Sequence, residues 1–200
     1  MEKRVLLAFA GKMCTGKDTS ANIWISRYCK YLNDINDPST TSVRDYKRIA
    51  FADGIKDICK TIFGLSDYDV NDQCGKKRFL LDYGKTVREM MQGIGEGLRS
   101  KISKDIWVIQ TVARVNKILH TMPHHILVTD VRYPNELEAL KTRGFTMIKL
   151  VRDTGIHDNH PSERNLNDNL FDYVIDNNGT IEDLEEKLLQ IPEYTIANEE

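Results

Sequence analysis

The chain contains 200 residues, of which 40% are hydrophobic and 29% are charged. These fractions are ordinary for a soluble globular protein, and the length predicts one compact domain. Lys and Arg number 28 and Asp and Glu 30, so the formal net charge is −2. That balance argues against a nucleic-acid coat protein and against a polybasic membrane binder. No apolar run approaches the roughly 20 residues of a membrane-spanning helix, and four scattered cysteines without CxxC spacing fit a cytoplasmic protein.

Apolar runs alternate with stretches of helical periodicity, which is typical of an α/β layer fold. The run at 5–10 is apolar throughout and predicts a central strand covered on both faces. A helix follows, then a polar loop at 33–42, a strand at 48–52 and a helix that stops at Gly64. Residues 65–80 are polar and poorly periodic, and no element is predicted there.

The second half of the chain continues the alternation. The pattern predicts helices at about 82–100 and 104–119, strands at 126–128, 145–151 and 173–175, a helix opened by Pro134, and a last helix opened by Thr180 and Asp183 at capping-box spacing. The polar stretch 152–170 is expected to form an exposed excursion. Together these elements predict a mostly parallel five-stranded sheet with helices on both faces.

The strongest chemical signal is the segment Gly11-Lys12-Met13-Cys14-Thr15-Gly16-Lys17-Asp18-Thr19, which follows the first strand and opens a helix. Two glycines separated by four residues let the backbone wrap around a polyphosphate with its N–H groups turned inward. The helix adds the positive end of its dipole, and Lys17 can reach the transferred phosphate. The segment predicts a phosphate-binding loop; the alternative is a glycine-rich turn with a surface lysine.

This segment departs from the pattern G-x-x-x-x-G-K-[ST] at its last position, where Asp18 stands and the hydroxyl follows at Thr19. A carboxylate beside a triphosphate is repelled unless a cation or a shared proton intervenes. Asp18 is therefore expected either to help hold Mg²⁺ through water or to accept a hydrogen bond from the phosphoryl acceptor. Cys14 is either a redox-sensitive thiol or a space-filling loop residue.

The loop with its Asp-Thr ending resembles that of the phage-type deoxynucleoside monophosphate kinases, which belong to the P-loop nucleotide kinase superfamily. Further segments are similar to that family in the same order along most of the chain: Phe51-Ala52-Asp53 with Lys56, Arg88 to Gly95 with Arg99, Asp105 to Val108, Thr129 to Glu136, Arg152 with His160-x-Ser162-Glu163, and Asp172 to Ile175 with Asn177 and Gly179. Segments 33–47 and 65–80 have no counterpart in this resemblance.

The resemblance implies one P-loop kinase domain over residues 1–200, with a substrate-binding helical region at about 53–107 and a lid at about 152–170. It implies ATP and Mg²⁺ as cofactors and a deoxynucleoside monophosphate as substrate, with no nucleic-acid or membrane partner. The compartment is then the cytoplasm, that of the host if a phage encodes the chain. Monomer and homodimer both stay open.

Site residues follow from the loop and the resemblance together. The residues expected to bind ATP are Gly11, Lys12, Thr15, Gly16, Lys17, Asp18, Thr19, Arg152 and Asn177. Those expected to bind the monophosphate are Arg88, Gln92, Gly95, Trp107, Asp130, Arg132 and Glu136. The predicted catalytic residues are Lys17, Asp18, Asp130 and Arg132, and the predicted metal ligands are Asp18, Thr19 and Asp130.

These residue types suit the chemistry. Phosphoryl transfer to a monophosphate brings several negative charges together, so positive charge is needed from more than one side. Arg88 and Arg132 can hold the acceptor phosphate through two parallel N–H bonds, although a surface ion pair is the alternative for each. Asp130 ends a strand at the carboxyl edge of the sheet, where it is expected to hold Mg²⁺ through water or to orient Arg132. Glu136 is expected to fix Arg132 or a substrate group.

The helical region offers groups for a base. Gln92 has a donor and an acceptor, and Trp107 has a stacking face; the alternatives are an exposed polar residue and a core aromatic. Gly93, Gly95 and Gly97 inside a helical pattern cost about 1 kcal/mol each relative to Ala, which indicates either a substrate near the backbone or close helix packing. Arg152 and the polar stretch around it fit a lid that excludes water better than a metal site.

The predicted activity is transfer of the γ-phosphoryl group of ATP to a deoxynucleoside monophosphate, without a covalent intermediate. Two alternatives remain open at this point. One is a P-loop kinase that acts on a ribonucleotide or on another small phosphorylated metabolite. The other is a non-catalytic module in which ATP switches a contact with a partner protein. The sequence does not predict which bases are accepted.

Overall fold

The computed structural model describes residues 5–34, 46–121, 125–155 and 166–192. The chain divides into two compact units, one formed by Met1–Ala50 with Arg114–Glu200 and the other by Phe51–Ala113. The second unit contains the segment at about 53–107 that is predicted to bind the substrate. That role stays a prediction. Within the described residues, no helix combines the length and the apolar character needed to cross a bilayer.

The described part of the chain contains seven strands and seven α-helices. They are β1 (Leu6–Ala10), α1 (Lys17–Asp34), β2 (Tyr46–Ile49), α2 (Asp53–Phe63), α3 (Asp67–Asn71), β3 (Phe79–Leu80), β4 (Lys85–Thr86), α4 (Val87–Lys101), α5 (Ile106–Thr121), β5 (His125–Val131), α6 (Pro134–Lys141), β6 (Thr146–Val151), β7 (Tyr173–Asp176) and α7 (Ile181–Leu189). Helix α5 runs from the second unit into the first.

The first unit is built on a five-stranded sheet in the order β2-β5-β1-β6-β7. All four strand pairings are parallel. This confirms the predicted α/β fold with a five-stranded parallel sheet flanked by helices, as in P-loop kinases. The central strand is β1, whose Leu7, Ala8 and Phe9 have no exposed surface. A strand covered on both faces must be apolar throughout, which is why the run at 5–10 has no alternation.

One face of the sheet packs against α1 and α7. Leu7 and Phe9 from β1 share a buried cluster with Trp24 of α1 and with Leu184 and Leu188 of α7. Burial of each large apolar side chain contributes about 1.5–3 kcal/mol. The strand and the first helix are therefore held firmly, and the loop that joins them at the carboxyl edge of the sheet has two fixed ends.

Strand β2 lies earlier in the chain than predicted, at Tyr46–Ile49 instead of 48–52. Its residues pair with residues 125–128 of β5; the Tyr46 ring stacks on His125 with the centroids 4.7 Å apart, and the Tyr46 hydroxyl accepts a hydrogen bond from Trp24 Nε1. Its end is set by α2, which already begins at Asp53.

The second unit contains structure that the sequence pattern did not predict. Helix α3 and the β3–β4 hairpin lie in or next to the segment 65–80, for which no element was expected. Helix α4 begins at Val87 instead of about 82, because Thr86 and Glu89 form a capping box at that point. The unit has its own core, in which Cys59, Leu65, Val70, Leu80, Val87 and Met90 are buried.

The buried carboxylate of Asp69 holds this part of the second unit together. It accepts hydrogen bonds from the backbone N–H and the hydroxyl of Ser66 at the start of α3, at 2.9 and 2.8 Å. It also accepts two from the Arg78 guanidinium, at 2.6 and 2.8 Å. These bonds, of which those from Arg78 are the strongest, lower the pKa of Asp69 to about 2. Residues nine apart in the chain are thus joined through one side chain.

We expect Asp69→Asn to lower the free energy of unfolding by about 2 kcal/mol, because a buried charge-assisted network loses its anion. Since the folded pKa lies below the ordinary value of 3.8, this contribution is present above about pH 4 and is lost as the pH falls towards 2. Urea unfolding of the full chain at pH 7 and at pH 3 measures both effects. Asp67→Asn, at an exposed carboxylate that pairs with Lys60, is the control and should change little.

Candidate active site

The loop from Gly11 to Gly16 joins β1 to α1, and its two glycines are required by its geometry. Gly11 has a φ of 144° and Gly16 a φ of 97°, in a region that side chains rarely allow. A Cβ on Gly11 would lie 2.6 Å from the carbonyl oxygen of Leu150 and 2.6 Å from Thr15 Oγ1. The loop therefore passes closely over the end of β6 and folds back on itself. This is the conformation that the glycine spacing predicts for a phosphate-binding loop.

Asn177, which directly follows β7, stabilises the loop through a side-chain hydrogen bond. Its side chain is buried and donates a hydrogen bond of 2.9 Å from Nδ2 to the carbonyl oxygen of Thr15, and its own backbone N–H binds Val151 at the end of β6. A Cβ on Gly16 would lie 2.4 Å from Asn177 Nδ2. Asn177 was predicted to bind ATP. Its side-chain contacts are with the loop itself, so it fixes the conformation that would bind the phosphates.

Lys17, the first residue of α1, extends its side chain back over the loop. Its ammonium group donates hydrogen bonds to the carbonyl oxygens of Gly11, at 2.8 Å, and of Lys12. Only 8% of the residue is exposed. Two neutral carbonyl oxygens do not balance a buried cation, so the site favours the arrival of an anion.

Several charged side chains lie close enough to the Lys17 ammonium group to shift its pKa. Burial, followed by repulsion from the Arg132 guanidinium, lowers the pKa of Lys17 from 10.5 to about 8. Asp18 and Asp130 act in the opposite direction and raise it. The other three predicted catalytic residues therefore all act electrostatically on Lys17.

Asp18 lies on the exposed first turn of α1 and forms an ion pair with Arg48 of β2. The same guanidinium reaches Asn22 Oδ1 at 3.3 Å and Thr129 Oγ1 at 3.4 Å. Arg48 was not among the predicted site residues. The only signal in the sequence was indirect: a carboxylate at the end of a phosphate-binding loop needs a cation, and a neighbouring parallel strand can supply one.

Asp130 is half-buried near the end of β5, Arg132 directly follows that strand, and Glu136 fixes the chain after them. Glu136 is 1% exposed, and its Oε2 accepts hydrogen bonds from the backbone N–H groups of Arg132, at 2.9 Å, and Tyr133, at 3.2 Å. These bonds satisfy the N–H groups at the start of α6. Glu136 therefore holds the backbone of Arg132, one of the two roles expected for it; its predicted contact with the substrate stays a prediction.

The residues at this site suit Mg²⁺ in the way nucleotide kinases use it. Asp18, Thr19 and Asp130 offer hard oxygen donors, and both carboxylates act on the Lys17 ammonium. Among the residues that the structure covers, no three acidic, His or Cys side chains form a metal cage. Mg²⁺ needs no such cage when phosphates and water complete its shell. When bound, it would neutralise charge that develops on the transferred phosphoryl group.

The remaining monophosphate-binding residues of the prediction lie in the second unit. Arg88 on α4 is half-buried and donates a 2.7 Å hydrogen bond to Gln73, and Gln92 lies one turn further along α4. Trp107 on α5 is 3% exposed and donates a 3.0 Å hydrogen bond from Nε1 to the carbonyl oxygen of Gly95. A Cβ on Gly95 would come within 3.0 Å of Ile55, so α2 and α4 pack closely at this glycine. Their substrate roles stay predictions.

Other predicted ATP-binding residues lie in or near the loop. Thr15 is buried, and its hydroxyl donates to the carbonyl of Lys12, whose side chain is exposed. Arg152 is exposed directly after β6. The predicted lid at about 152–170 lies largely outside the described residues.

We expect Gly16→Ala to weaken ATP binding by more than about tenfold, because the added methyl group would push Asn177 away from the loop and disturb the N–H groups that face the phosphates. Isothermal titration with ATP measures the loss. Gly144→Ala is the matched control: Gly144 also has a positive φ, of 78°, but no atom lies within 4 Å of its Cβ position. Equal ATP affinities in the two variants would contradict the assignment of the loop.

Comparison with known proteins agrees with this chemistry. Residues 74–188, more than half of the chain, match the family model of deoxynucleotide monophosphate kinase. A protein of Acanthamoeba polyphaga mimivirus, named as a candidate deoxynucleotide monophosphate kinase, is 28% identical over 199 residues, which is 92% of this chain and 94% of the viral protein. The family match includes Arg88, Asp130 and Arg132, and the longer alignment extends the similarity over most of the sequence. The chain therefore belongs to the deoxynucleotide monophosphate kinase family.

Proposed function

We propose that this protein phosphorylates deoxynucleoside 5′-monophosphates with ATP and releases the diphosphate and ADP. Membership of the deoxynucleotide monophosphate kinase family supports the class of acceptor. The observation that carries the choice of donor is Lys17, a buried ammonium group held over a glycine-defined loop and surrounded by the charges of Asp18, Asp130 and Arg132. Such a site suits a triphosphate far better than an uncharged ligand.

The donor is bound by the loop. Backbone N–H groups between Gly11 and Gly16 and the N-terminus of α1 surround the β- and γ-phosphates of ATP. Lys17 exchanges its two carbonyl partners for phosphate oxygens and follows the γ-phosphoryl group as charge moves onto the leaving oxygen. Asn177 keeps the loop in shape during this exchange through its hydrogen bond to the Thr15 carbonyl oxygen.

The acceptor is bound through arginine. Arg132 contacts the phosphate of the monophosphate, with its backbone fixed by Glu136. Arg88 supplies a second guanidinium, and Gln92, Gly95 and Trp107 serve the nucleoside. These assignments rest on the resemblance and on residue chemistry.

The reaction is a direct in-line transfer. A phosphate oxygen of the monophosphate forms a bond to the γ-phosphorus while the bond from that phosphorus to the β,γ-bridging oxygen breaks, and the electron pair leaves with ADP. The protein supplies positive charge from Lys17 and Arg132 and holds both reactants in line. Asp130 or Asp18 would hold Mg²⁺, which would supply further charge neutralisation when bound.

A panel of monophosphates tests the proposal. With ATP and Mg²⁺, we expect at least one of the four deoxynucleoside monophosphates to give rapid ADP release in a coupled assay and a diphosphate product by ion-exchange chromatography. Turnover with ribonucleotides alone, or with another phosphorylated metabolite, would contradict the proposed acceptor class. Binding of ATP without turnover on any acceptor would favour a switched binding module.

Lys17→Ala is expected to reduce turnover by about 10³-fold, because charge developing on the transferred group loses its main partner. Thermal stability without nucleotide should not fall, because the lowered pKa of the buried lysine opposes folding, fully below about pH 8 and progressively less as the pH rises towards 10.5. The rise in Tm that ATP causes in the wild type should disappear. Lys141→Ala, at a surface ion pair with Asp172, is the control.

A further inference from the structure

Arg48 makes an unusual set of contacts for a residue on an edge strand. Each of its three guanidinium nitrogens donates a hydrogen bond to a different side chain: those of Asp18, Asn22 and Thr129. Asn22 lies one turn after Asp18 on the same face of α1, and Thr129 lies near the end of β5, just before Asp130. The guanidinium thus joins the first turn of α1 to the strand that carries the second predicted catalytic carboxylate.

The position of Asp18 creates an electrostatic problem. It follows Lys17 directly, and its charge is felt by the Lys17 ammonium, whose pKa it raises. The same negative charge must therefore also act on any phosphates that Lys17 binds. A chain with Ser or Thr at this place would have no such repulsion. Some cation must offset it in the nucleotide-bound protein.

Resting on the proposed function, we infer that Arg48 is a positioning residue that offsets the repulsion between Asp18 and the ATP phosphates. Its guanidinium is the fixed counter-ion of Asp18, which lets the carboxylate stand beside the ATP phosphates and sets the carboxylate's orientation. One carboxylate oxygen of Asp18, Oδ1, accepts a hydrogen bond from Arg48. That bond sets the direction of the other carboxylate oxygen, which can then bind water, Mg²⁺ or the acceptor phosphate.

Burial decides between this role and a purely structural one. The Asp18 side chain is 71% exposed and that of Arg48 is 38% exposed. Ion pairs with this degree of exposure contribute little to folding, because solvent screens them and side-chain entropy opposes them. The sheet is held by the apolar cluster under α1, to which Arg48 does not belong. Loss of Arg48 should therefore affect ligand binding more than stability.

A double-mutant cycle tests the inference through ATP binding, measured by isothermal titration in metal-free buffer on the full chain. We expect Arg48→Gln to weaken ATP binding by about tenfold, because Asp18 is left uncompensated. Asp18→Asn should bind ATP about threefold more tightly than wild type, because Arg48 then attracts the phosphates. The double variant, which has neither charge, should bind within about twofold of wild type, a rescue of Arg48→Gln that only charge compensation explains. Arg48→Lys, which keeps the charge, should retain most of the affinity.

Kinetics give a second measure. Asp18→Asn should lower kcat much more than it changes the KM for ATP, whereas Arg48→Gln should raise that KM. Arg143→Gln is the matched control: its guanidinium binds Ala139 and Thr142 at the C-terminal end of α6, and the variant's ATP affinity should equal that of wild type. Urea unfolding of every variant separates binding from folding. Should Arg48→Gln not fold, Asp18→Asn and Arg48→Lys still test the pair.

The outcomes separate this inference from the proposed function. If wild type binds ATP and phosphorylates a monophosphate but Arg48→Gln keeps wild-type ATP affinity, the counter-ion role is wrong and the proposed function stands. If the losses in Arg48→Gln and the double variant are equal, Arg48 acts through the fold and not through Asp18. If wild type binds no ATP, the proposed function itself fails.

Discussion

A lysine ammonium held out of water at the start of a helix is the interaction on which this site depends. Lys17 is bound by two backbone carbonyl oxygens in a loop whose shape requires glycine at both ends. Carbonyl oxygens satisfy its hydrogen bonds but not its charge, so burial lowers its pKa to about 8. A polyphosphate would satisfy both. The loop is thus organised for an anion before one arrives, which reduces the entropy lost on binding.

The rest of the first unit keeps that lysine in place. The apolar strand β1 and the cluster beneath α1 fix the two ends of the loop, and Asn177 fixes its middle through the Thr15 carbonyl. Around it, charges of both signs are each held by a partner. Glu136 fixes the backbone of Arg132, and Arg48 pairs with Asp18. In the proposed reaction, this arrangement would hold the donor phosphates in a rigid loop with balanced charge.

How far the sequence could predict this depended on whether a signal was local. The loop, the central strand and the capping box at Thr180 are encoded by residues within a few positions of one another, and the structure has all three. Helix α3 was missed although Ser66 and Asp69 form a capping box at its start, because it is only five residues long and shows no apolar period. Strand β2 was misplaced because its pairing places Tyr46 opposite His125, far along the chain. Arg48 was missed because its partner Asp18 is thirty residues distant. Rules based on residue spacing compare positions within a short window, so they do not detect pairs that are far apart in the chain.

The central claim is that the Lys17 ammonium receives the phosphates of ATP, and proton uptake on binding tests it most directly. A lysine with a pKa of about 8 is half protonated at pH 8, and a bound triphosphate would raise that pKa. Titration calorimetry with ATP at pH 8, in buffers with different ionisation enthalpies and without metal, should therefore show uptake of about half a proton per ATP. The uptake should fall towards pH 7 and be absent in Lys17→Ala. Binding of ATP to the wild type with no proton uptake at pH 8, or with the same uptake in Lys17→Ala, would contradict the account.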